Sequence, residues 1–288
     1  MVSIGMPVYN AEGTLRAAID SILGQSHPNF VLFISDNCSS DLTEQICRDY
    51  AARDERIQYT RQIRNIGALE NFRFVLEQSR TEYFIWAAAD DTRSPDYLEV
   101  NLQFLEKNPD FIASTSPTRY VNGNFDPIRM GDEPLSGTEE NRFLRFFTSW
   151  HANGRFYSLF RRDVIRECSL QEEHFLGSDW ATVLRCSLLG KFHRTEQGWT
   201  QLGRHGTSSS ARIFELYQNR WYERFFPLFE LTRTVLALTK DFSVLTRARL
   251  VLRLMHLNAI AVWYRVRLAI KSFRAGRRQQ TGSGKAPA

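Results

Sequence analysis

A short apolar run, Val2 to Val8, opens the chain and gives way after Pro7 to the polar NAEGT; from Leu15 to Leu23 apolar residues then recur at helical spacing. The pattern of strand, loop and helix comes back at once. NFVLFISD is a second apolar run rich in β-forming residues, closed by Asp36, Asn37, Ser39 and Ser40 and followed by a helical stretch around residues 42–52. IQYTRQ, the polar RNIGALE and a helix through Phe74 and Leu76 come next, and YFIWAAA ends in Asp90 and Asp91. Strands alternating with helices predict a mostly parallel sheet flanked by helices, in which ligands gather beyond the carboxyl ends of the strands. PVYN, SDNCSSD and AADD all fall there, so three strand ends are expected to converge on one crevice.

Past residue 110 the alternation breaks down. FIASTSPTRYVNG is expected to supply strand pairs, and NRFLRFFTSW with NGRFYSLFRRDVI a helix and then a strand returning to the sheet. Pro95 and Asp96 suit the opening of a helix, and Asp179 begins another whose Val183, Leu184, Leu188 and Leu189 face the body. A strand end at Thr200 to Leu202 precedes a loop rich in Gly and Ser over 203–210. From Ile213 to about Ser272 the pattern is helical, and QQTGSGKAPA has a flexible, low-complexity composition. The expected organisation is a single α/β domain over 1–212, a helical extension over 213–278 and a flexible tail over 279–288.

Composition adds little until the charge is located. With 43% hydrophobic residues the chain is no disordered, collagen-like or disulfide-scaffold protein. A net charge of +5 would suggest nucleic acid, yet residues 242–288 hold ten Lys and Arg and no acid, which leaves 1–241 acidic. No nucleic-acid partner is therefore expected. Cys38, Cys47, Cys168 and Cys186 have neither zinc-ligand spacing nor the look of a disulfide framework, and MVSIGMPVYN shows no signal-peptide pattern, so a cytoplasmic location is expected.

In the basic segment Arg249, Arg253, His256, Arg267, Lys271, Arg274 and Arg278 share one helical stripe. Leu250, Leu254, Leu257, Ala261, Tyr264 and Leu268 mark an adjoining apolar face, broadened by Val251, Met255 and Val262. The longest uncharged stretch, Leu254 to Tyr264, is far short of a bilayer span, so the 246–278 helix should lie on a surface. An anionic membrane is the favoured partner, on the inner face of the plasma membrane; packing on the protein's own acidic body or in a homodimer is the alternative.

Adjacent carboxylates at a strand end make a hard-oxygen site for Mg²⁺ or Mn²⁺, although a bare acidic pair is more often a solvated turn. Asn10, Asp41 and Asn65 suit helix caps or turns as well as ligands, and Asp179 suits an N-cap. Their order changes the picture: PVYNAEGTL, SDNCSSDLT, RNIGALENF and YFIWAAADDTRSPDYL together resemble the inverting family 2 glycosyltransferases over about residues 2–210. That resemblance implies a Rossmann-like, nucleotide-sugar-binding domain of the A-type glycosyltransferase fold, with a mostly parallel mixed sheet. It places Pro7, Tyr9 and Asn10 by the nucleoside, Asp36 on the base or ribose, Arg64 and Asn65 across that pocket, and Asp90 near the ribose or donor sugar. It makes Asp91 the ligand of the metal that bridges the donor diphosphate, His205 a further ligand, Arg204 a phosphate partner and Asp179 the general base. Many members carry another acid where this chain has Ala89. Trp150, His151 and Arg155 are candidates for the acceptor side.

The expected activity is metal-dependent transfer of a sugar from a nucleotide donor, most simply a UDP-sugar, to a glycan or lipid-linked acceptor in cell-surface polysaccharide synthesis. Displacement at the anomeric carbon needs a base, charge neutralisation for the leaving diphosphate and exclusion of water; Asp179, the metal on Asp91 and the 203–210 loop would supply them. Two rivals are a non-catalytic nucleotide-sugar-binding or scaffold protein and a sugar nucleotidyltransferase. The latter normally has a basic, Gly-rich phosphate loop that PVYNAEGT lacks.

Overall fold

The computed structural model describes residues 1–169, 175–204, 217 and 220–282, with side chains of the last helix described to residue 268 and at Ile270. β1 (Val2–Val8), α1 (Leu15–Leu23), β2 (Phe30–Asp36), α2 (Thr43–Ala51), β3 (Ile57–Arg61), α3 (Ala68–Gln78) and β4 (Tyr83–Trp86) follow the expected alternation. Next come β5 (Thr92–Arg93), α4 (Tyr97–Lys107), β6 (Phe111–Thr115), β7 (Thr118–Tyr120), α5 (Pro127–Met130) and α6 (Glu139–Phe146). A 3-10 turn (Gly154–Tyr157) leads to β8 (Leu159–Arg161), α7 (Arg162–Cys168), α8 (Ser178–Leu189), β9 (Lys191–Arg194) and β10 (Thr200–Leu202).

The main sheet among these residues has the order β3-β2-β1-β4-β8-β6-β9, and β8 alone runs against its neighbours. It is the mostly parallel mixed α/β sheet that the periodicity predicts. β1 and β2 are buried along nearly their whole length, β2 as the unbroken apolar run FVLFI and β1 with the small Ser3 and Gly5 alternating with Val2, Ile4 and Met6. Ile4, Met6, Leu32, Ile34 and Ile85 share one core with Leu15, Ile19 and Ile22 of α1. A Cβ on Gly5 would lie 2.7 Å from Val75 of α3 and 2.8 Å from Phe84, so glycine lets α3 settle directly onto β1.

FIASTSPTRY does supply two strands, but they do not pair with each other. β6 lies between β8 and β9, whereas β7 joins a second sheet of order β5-β10-β7. Pro117 stands between them, and Asp132 Oδ2 accepts the Thr118 amide at 2.6 Å, which sets β7 on its new course.

The chain divides into two compact units, one of residues 1–174 and 178–206, the other of residues 175–177 and 207–288. Within the second, the expected helical stretch consists of a 3-10 turn (Trp221–Arg224), α9 (Phe229–Leu238) and α10 (Val244–Gly282); residues 213–216, 218 and 219 lie outside the described residues. Ser243 starts α10 by accepting the Thr246 amide on its hydroxyl at 3.3 Å. Residues 279–282, expected to be flexible, continue the helix: Ala275, Arg277, Arg278, Gln279 and Gln280 are mostly good helix formers, and no proline occurs before Pro287. Leu250, Leu254, Leu257 and Ala261 of the expected apolar face are buried inside this unit, and Asn258 Oδ1 accepts the Leu228 amide at 3.0 Å. No helix among the described residues is long and apolar enough to cross a membrane.

Candidate active site

The β1–β2 register sets Pro7 beside Ser35 and Val8 beside Asp36, and β2–β3 pairing sets Asp36 beside Arg61. These strand ends are therefore neighbours, as the crevice argument requires. Asp36 is fully buried: Oδ2 accepts from Arg61 at 2.7 Å and from the Tyr59 hydroxyl at 3.1 Å, and Oδ1 accepts the Ser39 amide at 2.9 Å. Burial first, then the Asp36 charge, pushes the Tyr59 phenol out of its ordinary range to higher pKa. Asp36 thus meets protein on both oxygens, and the groups it holds shape the β2–α2 loop.

That loop is tied to the one after β1. The Asn10 amide donates to Ser39 Oγ and the Ala11 amide to Thr43 Oγ1, while Asn10 Oδ1 accepts the Ser40 amide at 2.9 Å. Glu12 and Asp41 exchange the same service, Asp41 Oδ2 accepting the Glu12 amide and Glu12 Oε2 the Leu42 amide. Asp41 is thereby a turn former. Asn65 Oδ1 accepts from Asn37 Nδ2 and from the Gly67 amide, which fixes the loop carrying Arg64. Tyr9, Asn10, Arg64 and Asn65 are exposed and Pro7 half-buried, so this rim presents surface to a ligand while its backbone is held from within.

The acid pair is built by the second sheet. Pairing of Thr200 with Arg93 and Gln201 with Thr92 runs antiparallel, and the register continued by two residues sets Gly203 opposite Asp90. The Gly203 amide donates to Asp91 Oδ1 at 2.9 Å, and any Cβ at Gly203 would collide with the Asp90 carboxylate. Asp91 is buried, and its Oδ2 has no hydrogen-bond partner among the described residues. Burial pushes its carboxyl up to about 6, against the opposing pull of the Arg93 charge and the Gly203 amide. A buried carboxylate oxygen with an unfilled lone pair, beside a second carboxylate, fits a divalent cation that takes one or two protein carboxylates and completes its shell with phosphate oxygens. Among the described residues no group of three His, Cys, Asp or Glu gathers around such a site. His205 lies outside the described residues; Arg204 is exposed with its guanidinium 5.6 Å from the Tyr120 ring centre, and Ala89 packs against the core.

Asp179 lies in the first turn of α8 and is partly exposed. Asn153 Nδ2 donates to its Oδ2 at 2.9 Å, and Asn153 Oδ1 is buried without a partner among the described residues. Burial raises the Asp179 carboxyl above its ordinary value, opposed by Asn153 and by the amides of Trp180 and Asp179 itself. Asn153 has a left-handed backbone (φ 56°), which asparagine tolerates, and its amide donates to His151 Nδ1 at 3.1 Å. That contact requires a neutral imidazole, with Nε2 donating to the Phe146 carbonyl at 3.2 Å. Burial agrees, pushing the His151 pKa down to about 3. His151 stacks on Trp180 at 4.3 Å, and Arg155 is buried with Nε donating to the Glu133 carbonyl, so both are packing groups; Trp150 is partly exposed.

Tyr157, whose carbonyl accepts from the Tyr97 hydroxyl at 3.1 Å, feels the charges of both carboxylate sites. Its phenol is pushed well above the ordinary value by burial first and then by the charges of Asp91, Asp179 and Asp90. Stacking of Phe156 on Trp86, with centroids 4.6 Å apart, holds this turn over the end of β4. Asn153, Tyr157 and Arg61 were not among the residues singled out from sequence, and Gly203 was read as part of the 203–210 loop rather than as a partner of Asp91. The Asn-Gly pair at 153–154 is a turn signal that marks the first of them; Arg61 depends on the pairing of β2 with β3, and the place of Gly203 on that of β5 with β10.

The family model for glycosyl transferase family 2 matches residues 3–169. Bacillus subtilis TuaG, assigned to teichuronic acid biosynthesis as a glycosyltransferase, is 35% identical over 105 residues, covering 36% of this chain and 42% of that protein. An uncharacterized glycosyltransferase of Haemophilus influenzae is 29% identical over 229 residues, 76% of this chain and 70% of its own length. The chain spans less than half the length of TuaG and of EpsE, a second B. subtilis relative. Among solved structures, Staphylococcus aureus TarS 1–349 in complex with UDP superposes with a TM-score of 0.60 at 18% identity, over 88% of this chain and 69% of that one. The mannosyltransferase PcManGT from Pyrobaculum calidifontis, in complex with GDP-Man and Mn²⁺, gives 0.59 at 15% identity, over 94% and 86%.

Proposed function

Because the chain belongs to glycosyl transferase family 2, we propose that it transfers a sugar, with inversion, from a UDP-linked donor to a glycan or lipid-linked acceptor in cell-surface polysaccharide synthesis. The buried Asp91 oxygen that has no hydrogen-bond partner among the described residues, held at the strand ends by the Gly203 amide, carries this assignment, since it suits the metal-bridged diphosphate of a nucleotide-sugar donor. The TarS structures with UDP and UDP-GlcNAc support a uridine donor, while GDP-Man in PcManGT marks the competing base.

Pro7, Tyr9, Asn10, Arg64 and Asn65 would line the nucleoside pocket, whose floor Asp36 stiffens through Arg61 and Ser39. Asp90 would face the ribose or donor sugar. Mg²⁺ or Mn²⁺ held by Asp91 and His205 would neutralise the departing diphosphate. Arg204 would bind a phosphate oxygen through its planar fork. Asp179, oriented by Asn153, would take the acceptor proton as the hydroxyl oxygen attacks the anomeric carbon. With a lipid-linked acceptor, the chain works at the inner face of the plasma membrane.

The test is release of nucleoside diphosphate from a panel of nucleotide sugars with Mn²⁺ or Mg²⁺, for wild type, Asp91→Ala and Asp179→Asn. Metal-dependent turnover that both substitutions abolish is expected. Donor binding without turnover on a broad acceptor panel would establish a binding module instead, and full activity in Asp91→Ala would remove the metal assignment.

A further inference from the structure

The 39 residues of α10 carry two apolar stripes, and protein covers one of them. Leu250, Leu254, Leu257 and Ala261, at most 2% exposed, pack within the second unit. Leu245, Leu252, Met255, Trp263, Val266 and Ile270 fall within about 80° of one another on the opposite side, at 100° per residue. These six are 48–67% exposed. More apolar surface stands nearby: Arg265 donates to the Arg224 carbonyl at 3.1 Å, which sets the turn bearing Trp221, Phe225 and Phe226, all more than half exposed, beside the helix.

The charges on the border decide what this surface meets. Exposed Arg249, His256 and Arg267 flank the stripe, and the Arg267 guanidinium lies 5.3 Å from the Trp263 ring centre. No Asp or Glu occurs from residue 242 onward. Two copies of the helix meeting along this stripe would bring arginine toward arginine with no acid on either helix to pair with them, whereas anionic headgroups complement that border. Tryptophan and arginine at the edge of an aliphatic stripe are the usual composition of a helix lying in a membrane interface.

We propose that α10 docks the chain on an anionic bilayer through the stripe of Leu245, Leu252, Met255, Trp263, Val266 and Ile270, with Arg249 and Arg267 set against the headgroups. This deepens the function proposed above, since a membrane-borne acceptor gives the docking its purpose. Its geometry owes nothing to the donor, so vesicle binding measured without nucleotide sugar can fail while turnover on a soluble acceptor stands, and the reverse.

The intact protein is floated with phosphatidylcholine vesicles, either pure or containing about a third phosphatidylglycerol. Binding is expected to the anionic vesicles alone, weakening as salt is raised. The triple change Leu252→Ser, Trp263→Ser, Val266→Ser should lower partitioning at least about tenfold with helix content unchanged. Arg249→Glu with Arg267→Glu, which leaves the apolar stripe intact, should also lower it by about tenfold or more. Failure of the wild type to float, equal binding to neutral vesicles, or undiminished binding by the charge-reversed protein would overturn the proposal. So would a solution dimer that dissociates on the triple change, since the stripe would then belong to a second copy.

Discussion

The loops after β1 and β2 and the acid pair after β4 stand at the carboxyl ends of neighbouring strands, yet they treat their polar atoms in opposite ways. In the first region Asp36, Asp41, Asn10 and Asn65 are bonded to amides and side chains of the same loops. In the second, Asp91 keeps a buried oxygen without a partner among the described residues and Asp179 keeps part of its surface open. One set of polar residues fixes a shape; the other remains available for chemistry. Substitutions in the two regions should therefore separate activity from stability.

The largest effect is expected at Asp179. Asp179→Asn should lower kcat by about 10²–10⁴-fold, the range for loss of a general base. Its folded-state carboxyl pKa is raised, so ionisation near neutral pH works against the fold; removing that charge should leave melting temperature at pH 7 unchanged or higher. A fall in both would place Asp179 with the structural carboxylates.

The pH profile sharpens the contrast. A base must be ionised, so kcat should rise with pH through a midpoint above the ordinary carboxylate range. Asn153→Gly keeps the left-handed backbone and removes the hydrogen bond that favours the charged form, so that midpoint should move further up. An unmoved acid limb would detach Asn153 from the chemistry.

Asp36→Ala should show the opposite behaviour. It strands the Ser39 amide and the Tyr59 hydroxyl and takes one partner from Arg61, which keeps Glu44 and the Ser39 carbonyl, and should lower unfolding free energy by about 2–3 kcal/mol in a denaturant titration, with donor KM rising more than kcat falls. Asn10→Ala, which loses one exposed loop tie, should cost about 0.5–1.5 kcal/mol by the same measurement. If Asn10→Ala abolished turnover with stability intact, the division between shaping and reacting residues would fail at that loop.

What the sequence made legible follows the same line. β1 to β4 and their helices could be read because each is a long apolar run or a clear helical period. The strand at Thr200 to Leu202 and those in FIASTSPTRYVNG are legible too, but β5 is two residues long, too short for any period, and the pairing that brings Gly203 to the acid pair joins positions more than a hundred residues apart. Asp36 and Asp91 look alike as acids at strand ends; their difference lies in Arg61 and Tyr59, which β3 delivers to one and not to the other. In α10 the periodicity shows an apolar face, but the packing of its buried stripe depends on elements upstream, including the Leu228 amide that Asn258 holds. Burial is decided by that distant partner.

The antiparallel β8 has a consequence for how the protein is made. The strands β3, β2, β1 and β4 are contiguous in sequence and in the sheet, so they can pair as soon as they emerge, while β4 waits for a neighbour some 75 residues farther along the chain. Until Leu159–Arg161 slides between β4 and β6, β4 is an open edge composed of Tyr83, Phe84, Ile85 and Trp86, the kind of surface that recruits foreign strands. The nascent chain therefore carries β1 to β4 before the turn that bears Asn153 arrives. A stall or truncation in that interval would yield a sticky half-sheet.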